Sequence, residues 1–329
     1  MTKVTIELDA VFEYSKAALQ RHGANEFAAS EVAKAVRKAE GVGNLICGLY
    51  YLESYCAQLQ TGRVNGTVEP IVTKTKSASV MVDAGFGFAQ PAFARGLPEA
   101  LRTAKDAGTC ALAVCHAHTC TSLGYFTEQI ALAGLIGIGF TNASPVVSPP
   151  GGNKAVIGTN PIAMSVPAKG GGVAFQFDQS TSAVALGKIT MAASAGTDIP
   201  LGWAVDVDGN PTTDPKEALK GSLVSTGGYK GFGFGLMAEI LAAAVTGSVN
   251  SLDVASLKLP NGAPHDLGQF YFLIDPTTFS GDAFWERLAR VSDAVVEQDG
   301  ARLPGTGKLL SERVEIDCNV WKQVIELAG

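Results

Sequence analysis

Two short apolar runs, Cys110-Ala111-Leu112-Ala113-Val114-Cys115 and Ile136 to Asn142, constrain the fold more than any other feature of the chain. Both have the length and texture of a strand buried on both faces. Each follows a segment of helical length, Ala92 to Ala107 and Leu123 to Ala133. A further strand is expected at Ala78 to Asp83, before the glycine-rich run Gly85-Phe86-Gly87-Phe88. This alternation predicts an α/β fold. Only 17% of residues are charged and 47% are hydrophobic, so the chain can build a large core and hide surface in a subunit interface.

Apolar residues at three- and four-residue steps predict helices over Leu8 to Arg21 and Glu26 to Ala39, with His22-Gly23 as a stop between them. Leu49 to Leu59 reads as a third helix, closed by Thr61-Gly62. Ile162 to Val166 and Val173 to Asp178 are expected strands on either side of Lys169-Gly170-Gly171-Gly172. Ala204 to Asn210 reads as a strand entering a tight turn, and a long helix is expected from near Phe234 to Thr246. Leu267 to Ile274 is the last expected strand and Ala283 to Glu297 the last long helix. With 329 residues, two domains are expected: a helical N-terminal segment over 1–75, an α/β unit over 76–250, and a segment over 251–329 that packs back on the first.

The formal net charge of -6, without a stripe of Lys and Arg, argues against a nucleic-acid surface. The longest apolar stretch, Ile130 to Phe140, is interrupted by Gly134, Gly137 and Gly139, and falls well short of the roughly 20 residues a membrane span needs. The first residues contain no apolar signal core, so a cytoplasmic protein is expected. Cysteines at 47, 56, 110, 115, 120 and 318 are irregularly spaced, and reduced thiols are expected.

No G-x-G-x-x-G fingerprint opens a helix after a strand. The nearest match, Gly233-Phe234-Gly235-Leu236-Met237-Ala238, has no apolar strand before it, and no Walker loop is present. Cys115-His116-Ala117-His118-Thr119-Cys120 places two thiols and two imidazoles together, a transition-metal composition. The other reading is a strand end whose polar residues line a pocket or serve structure. Structural zinc uses separated ligand pairs and no second pair follows, so no metal is expected. The helix after Thr121-Ser122 would offer backbone N–H groups to an anion such as a pyrophosphate. Asp206-Val207-Asp208-Gly209-Asn210 resembles half a calcium loop, but position 215 is Pro rather than the closing Glu, and a hairpin turn is the better reading. Gly227-Gly228-Tyr229-Lys230-Gly231 sets a cation in a glycine-rich turn. A nucleophilic hydrolase lacks its parts: there is no G-x-S-x-G, and the four histidines are His22, His116, His118 and His265.

Taken in order, several segments resemble the type-2 malate/L-lactate dehydrogenase family of NAD(P)-dependent oxidoreductases. They are Ala133 to Gly137, Thr141-Asn142-Ala143-Ser144-Pro145, Gly158 to Ala163, Phe177-Asp178 with Thr181-Ser182, Gly187-Lys188-Ile189, Pro211 to Pro215, Gly227 to Gly231 and Leu267 to Phe270. The resemblance implies a non-Rossmann NAD(P)-binding domain with a mixed, largely antiparallel sheet, plus a helical domain built from the N-terminal and C-terminal segments. It also implies a homodimer with the active site between domains. Gly87-Phe88-Ala89-Gln90-Pro91-Ala92 and Arg302-Leu303-Pro304-Gly305 look like the branch that reduces Δ1-piperideine-2-carboxylate and Δ1-pyrroline-2-carboxylate with NADPH, NADH being the alternative coenzyme. By the same resemblance Thr119, Cys120, Thr121, Ser122, Leu123, Asp178, Gln179, Ser180, Tyr229, Lys230, Arg302, Leu303, Pro304, Gly305, Thr306, Gly307 and Lys308 would contact the dinucleotide. Thr159, Leu186 and Gly187 would line the substrate side.

The departures from the family pattern concern the chemistry. Where the family has Ser-His-Gly-x-x-Arg, this chain reads Ile46-Cys47-Gly48-Leu49-Tyr50-Tyr51. The proton-donor position is therefore Cys47, the orienting position Ile46 and the carboxylate-clamp position Tyr51. Thr119 stands where the family's cofactor motif has a His, with His118 one place earlier. A thiol of ordinary pKa near 8.5 can give a proton. Tyr50 or Tyr51 can give one instead, or His118 from the other side of the pocket. A protonated cyclic imine already carries its activating proton, which favours an imine over a 2-oxo acid. The expectation is an NADPH-dependent imine carboxylate reductase. The alternatives are a 2-hydroxy acid dehydrogenase of malate, lactate or ureidoglycolate type, and a catalytically weak nicotinamide-binding protein.

Overall fold

The short apolar runs become neighbouring strands of a seven-stranded sheet, as seen in a computed structural model that describes residues 2–306 and 310–329. The chain starts with strand β1 (Lys3–Glu7) and helices α1 (Leu8–Arg21) and α2 (Glu26–Gly41). Asn25 caps α2, its side chain accepting from the Ala28 N–H at 2.8 Å. The run expected as one helix over Leu49 to Leu59 is split. Two short 3-10 turns, Leu45–Cys47 and Leu49–Tyr51, parted by Gly48 at φ -96 and ψ -129, precede α3 (Leu52–Thr61). Gly62 ends α3 at φ 77, a left-handed conformation suited to glycine.

The sheet is built from β2 (Ile71–Lys76), β3 (Ser79–Asp83), β4 (Thr109–Ala117), β5 (Ile136–Thr141), β6 (Ile162–Pro167) and β7 (Val173–Gln179), with α4 (Ala89–Ala107) and α5 (Gly124–Leu132) against it. Only the pair β3 and β4 is parallel; the other pairings are antiparallel, so the sheet is mixed and largely antiparallel. The alternation Ile136-Gly137-Ile138-Gly139 has a packing cause. A Cβ at Gly137 would stand 2.9 Å from Ile130 of α5, and one at Gly139 2.9 Å from the Tyr271 ring. The core under the helices is Val82, Phe93, Leu112, Val114, Leu123, Phe126, Ile130 and Tyr271, all buried.

A smaller lobe follows, with α6 (Leu186–Ala195), β8 (Ala204–Val205), α7 (Pro215–Lys220) and β9 (Ser222–Leu223) around Val147, Ile157, Ile189 and Leu223. The strand expected over Ala204 to Asn210 stops after two residues. Asp206 turns the chain instead, its carboxylate accepting from the N–H groups of Asp208 and Asn210. The next helix, α8 (Tyr229–Glu239), starts earlier than expected and runs into a π-helical turn, Ile240–Ala244. The segment expected to return to the first domain divides. Strand β10 (Leu267–Ile274) lies inside the sheet between β4 and β5, and α9 (Thr277–Ser280) and α10 (Ala283–Val296) follow it. Then β11 (Arg313–Asp317) pairs with β1, and α11 (Cys318–Ala328) packs on α1. Among the described residues no helix is long and apolar enough to cross a membrane.

A buried polar group fastens the loop before β10. Gln58 of α3 donates to the carbonyls of Leu257 and Leu259 at 2.6 and 2.8 Å. Arg63 donates to those of Ala263, Ser256 and Leu259. His118 Nε2 donates to Gln58 Oε1 at 2.6 Å and its ring stacks on His265 with centroids 4.1 Å apart. Burial keeps both imidazoles neutral: His118 falls well below the ordinary histidine range through desolvation, His265 and Arg63, and His265 is lowered to about 3 by desolvation and Arg63. Both bind protons more readily unfolded, so stability declines as pH falls below about 6.5, by up to about 1.4 kcal/mol per pH unit for each ring. Urea unfolding at pH 7 and pH 5 measures this. His265→Phe, which keeps a stacked ring without a titration, is expected to halve the decline; an unchanged pH dependence would show that His265 protonates as freely folded as unfolded.

Candidate active site

The turns that carry Cys47 and Tyr51 sit on a buried acid. Glu40 of α2 accepts the Leu49 N–H at 2.8 Å, and its burial raises its pKa. A Cβ at Gly48 would overlap this carboxylate, so the bend between the turns needs glycine. Cys47 is half-buried, and burial with the nearby charge of Asp178 pushes its thiol up to about 12. Burial, with Tyr50 and Cys47 nearby, raises Tyr51 to about 12 as well. The Tyr51 ring stacks on Tyr55 of α3 at 6.1 Å, and Tyr55 meets Phe88 edge-on at 5.3 Å. Buried Tyr55 and buried Cys120 are held protonated by desolvation, and Cys47 lies close enough to each to add to that.

Thr121 closes this group from the end of β4, with φ 61, a conformation that is a genuine outlier for a β-branched residue. Backbone strain of this kind clusters at functional sites. Asp178, near the end of β7, accepts from the Ser122 hydroxyl at 3.1 Å and the Gly124 N–H at 2.8 Å. The N-terminus of α5, expected to present N–H groups to an anion, thus gives its Gly124 N–H to a carboxylate of the chain itself. A Cβ at Gly124 would stand 2.9 Å from the Asp178 side chain, which explains the glycine.

Beside this group lies a cleft of about 670 Å³ between α2, the start of α5 and the outer strand β7. Ser122, Asp178, Arg302, Pro304, Gly305 and Thr306, all expected to contact a dinucleotide, line it together. The Gln176 N–H donates to the Pro304 carbonyl at 3.1 Å, and a Cβ at Gly305 would stand 2.7 Å from the Gln176 carbonyl oxygen. Sequence reasoning missed the facing wall, where Lys38 of α2 pairs with Glu128 of α5 at 2.7 Å beside Asn44. It also missed Tyr55, although Tyr51 and Tyr55 stand one helical turn apart, a spacing that puts both on one face.

Other expected residues lie elsewhere. Leu123 is fully buried in the main core and Cys120 nearly so, which leaves their backbone rather than their side chains for a ligand. Thr119 is buried, and Leu303 lines an apolar groove with Phe175 and Val291. Gln179 is exposed, and the Ser180 hydroxyl shares a 2.8 Å hydrogen bond with Ser182. Tyr229 and Lys230 are exposed at the start of α8, Leu186 and Gly187 at the start of α6. The Thr159 carbonyl accepts from Thr181. Gly307 and Lys308 lie outside the described residues. His118, expected as a donor from the far side of the pocket, is 2% exposed and has given its Nε2–H to Gln58.

A profile of the malate/L-lactate dehydrogenase family matches residues 6–321. The chain is 38% identical to a (2R)-3-sulfolactate dehydrogenase (NADP(+)) of Chromohalobacter salexigens, over 88% of this chain and 86% of that one. It is 37% identical to a Δ1-pyrroline-2-carboxylate/Δ1-piperideine-2-carboxylate reductase of Pseudomonas aeruginosa, over 92% and 90%. Among solved structures, Δ1-piperideine-2-carboxylate reductase from Pseudomonas syringae superposes with a TM-score of 0.89 at 32% identity, over 98% of this chain and 99% of that one. With a match over nearly its whole length, the chain belongs to the malate/L-lactate dehydrogenase family.

Proposed function

We propose that this protein is an NADPH-dependent reductase of a small cyclic imine carboxylate, converting Δ1-piperideine-2-carboxylate or Δ1-pyrroline-2-carboxylate to L-pipecolate or L-proline. One observation carries the choice of an imine. Cys47 and Tyr51 have been pushed to about 12, Tyr55 and Cys120 upward too, and the nearby imidazole of His118 has been pushed down. No group in that set changes charge near neutral pH. Reduction of a ketone leaves an alkoxide that needs a well-matched acid. An iminium arrives with its proton, and its nitrogen takes the C=N electron pair as a neutral amine. The negative charge of Asp178 that raises the Cys47 thiol also favours a cation in the same place.

The cleft suits the coenzyme by the chemistry of its lining. Arg302 offers a cation to phosphate, Ser122 and Thr306 offer hydroxyls, and the outer edge of β7 offers backbone groups. NADPH supplies the hydride when bound. The protein's part is to hold the acceptor carbon near it, to keep Cys47 and Tyr51 protonated as neutral hydrogen-bond donors, and to orient them through Glu40 and the Tyr55 stack. The division into a helical unit and a coenzyme-binding α/β unit without a Rossmann fingerprint is part of the same proposal, as is a homodimer. The supporting surface is the outward face of α8 and its π turn, where Phe234 and Ile240 are each 56% exposed and Val245 52%. Sedimentation is expected to give twice the mass of the chain, and Ile240→Glu to shift it toward the monomer.

A spectrophotometric panel of NADPH and NADH against both imines, sulfopyruvate, pyruvate and oxaloacetate tests the assignment. Oxidation of NADPH by Δ1-piperideine-2-carboxylate is expected. Turnover only with open 2-oxo acids would support a 2-hydroxy acid dehydrogenase, a reading favoured by the relative from Chromohalobacter salexigens. A chain inert across the panel that gains activity on combining Cys47→His with Tyr51→Arg would point to nicotinamide binding without efficient catalysis. On an imine, Cys47→Ala is expected to keep kcat within about tenfold, since the proton comes with the substrate. A loss above about a hundredfold with NADPH affinity intact would instead make Cys47 the donor.

A further inference from the structure

The proposed substrates carry a carboxylate next to the reacting carbon, and the groups gathered around that carbon include no cation. Cys47, Tyr51, Tyr55, Cys120 and Thr121 are neutral, and Asp178 is an acid. An anion entering such a site loses hydration without compensation unless a positive group reaches it from outside. The loop before β10 brings one. Lys258 Nζ lies 3.7 Å from the centroid of the Tyr50 ring and 5.8 Å from that of Tyr51. Among the described residues its ammonium has no carboxylate partner.

The backbone on both sides of Lys258 is fixed although its side chain is exposed. Leu257 and Leu259, its chain neighbours, both have their carbonyls held by Gln58, which is fully buried. Arg63, 2% exposed, holds Ser256 and Ala263, and the Thr61 hydroxyl donates to the Pro260 carbonyl at 2.6 Å. A loop tethered at four carbonyls by the buried Gln58 and Arg63, and at a fifth by Thr61, is more than a connection needs. Its effect is to keep one lysine, whose flexible stem ends in a compact charge, over the two tyrosines next to Cys47.

We propose that Lys258 binds the anionic group of the substrate, standing over Tyr51 at the mouth of the site and selecting acids against uncharged imines. This rests on the reductase reading, and two measurements keep the two apart. Titration calorimetry of pyridine-2-carboxylate, a planar analogue that NADPH does not reduce, into the NADPH-loaded full chain reads the anion site. NADPH oxidation with Δ1-piperideine-2-carboxylate reads the reaction. Lys258→Met keeps the stem over Tyr50 and removes the charge. It is expected to weaken pyridine-2-carboxylate about tenfold or more, with NADPH affinity unchanged and Lys258→Arg restoring binding to within about threefold. In turnover the same change is expected to raise KM for the imine carboxylate about tenfold while kcat stays within about twofold, and to leave Δ1-piperideine, the ring without its carboxylate, unaffected. If the parent does not bind pyridine-2-carboxylate, or Lys258→Met binds it as tightly as the parent, the assignment is overturned. A parent that oxidises NADPH with neither imine, yet binds the analogue through Lys258, would remove the reductase reading and leave the anion site standing.

Discussion

The carboxylate of Asp178 joins the parts of this structure that must act together. It accepts from the first N–H of α5 and from Ser122, so the outer strand of the sheet is fixed to the helix that follows β4. A charge-assisted bond at a helix N-terminus is worth more than a neutral one, roughly 1.5–3 kcal/mol. Desolvation is the main cause of the rise of Cys47 and Cys120, and the charge of the same carboxylate adds to it. Without that carboxylate, the wall between the cleft and the tyrosines loses its fastening, and the thiols lose part of what keeps them protonated. Gln176 reinforces the same seam by donating to the Gly124 carbonyl at 2.9 Å. Structure and chemistry therefore share one residue, which is why Gly124 has no side chain to separate them.

What was legible in the sequence follows from the range of the interactions. Helices α1 and α2 and strands β4 and β5 are set by local periodicity and by short apolar runs, and they form close to where those patterns place them. Strand β10 is legible as a strand from Leu267 to Ile274, but its place between β4 and β5 is decided by pairing with residues more than a hundred positions away. No window of sequence contains that. The pair β1 and β11 joins residues more than 300 positions apart through strands only five residues long, with half their residues facing water.

The site divides along similar lines. Residues of turn segments, such as Arg302, Pro304 and Gly305, land on the cleft because loops that approach a strand edge need glycine and proline. Histidine composition near a strand end says nothing of which way the ring of His118 faces. In the folded chain, residues of α3 capture it. Tyr55 and Lys38 were missed because on a helix each has the appearance of an ordinary core or surface position. Only the approach of α2 to α5, and of α3 to the end of β4, makes them part of a wall.

On the proposed reading, these positions describe a site without the ordinary equipment for moving a proton and for gripping an acid. On the resemblance to the family pattern, the proton-donor position holds a thiol pushed up to about 12 and the carboxylate-clamp position a phenol pushed up to about 12. Such groups stay protonated at pH 7 and donate hydrogen bonds, which suits the proposed substrate that arrives with its own proton. A cyclic iminium meets that condition, because its charge is neutralised by the hydride itself and no alkoxide accumulates. The acid group still needs a counter-charge, and here the buried amide of Gln58 and the guanidinium of Arg63 matter at a distance, by fixing the loop that carries Lys258. Selectivity for the substrate's anion then resides in a loop from outside the strand ends, while its reactive carbon is read by neutral groups within.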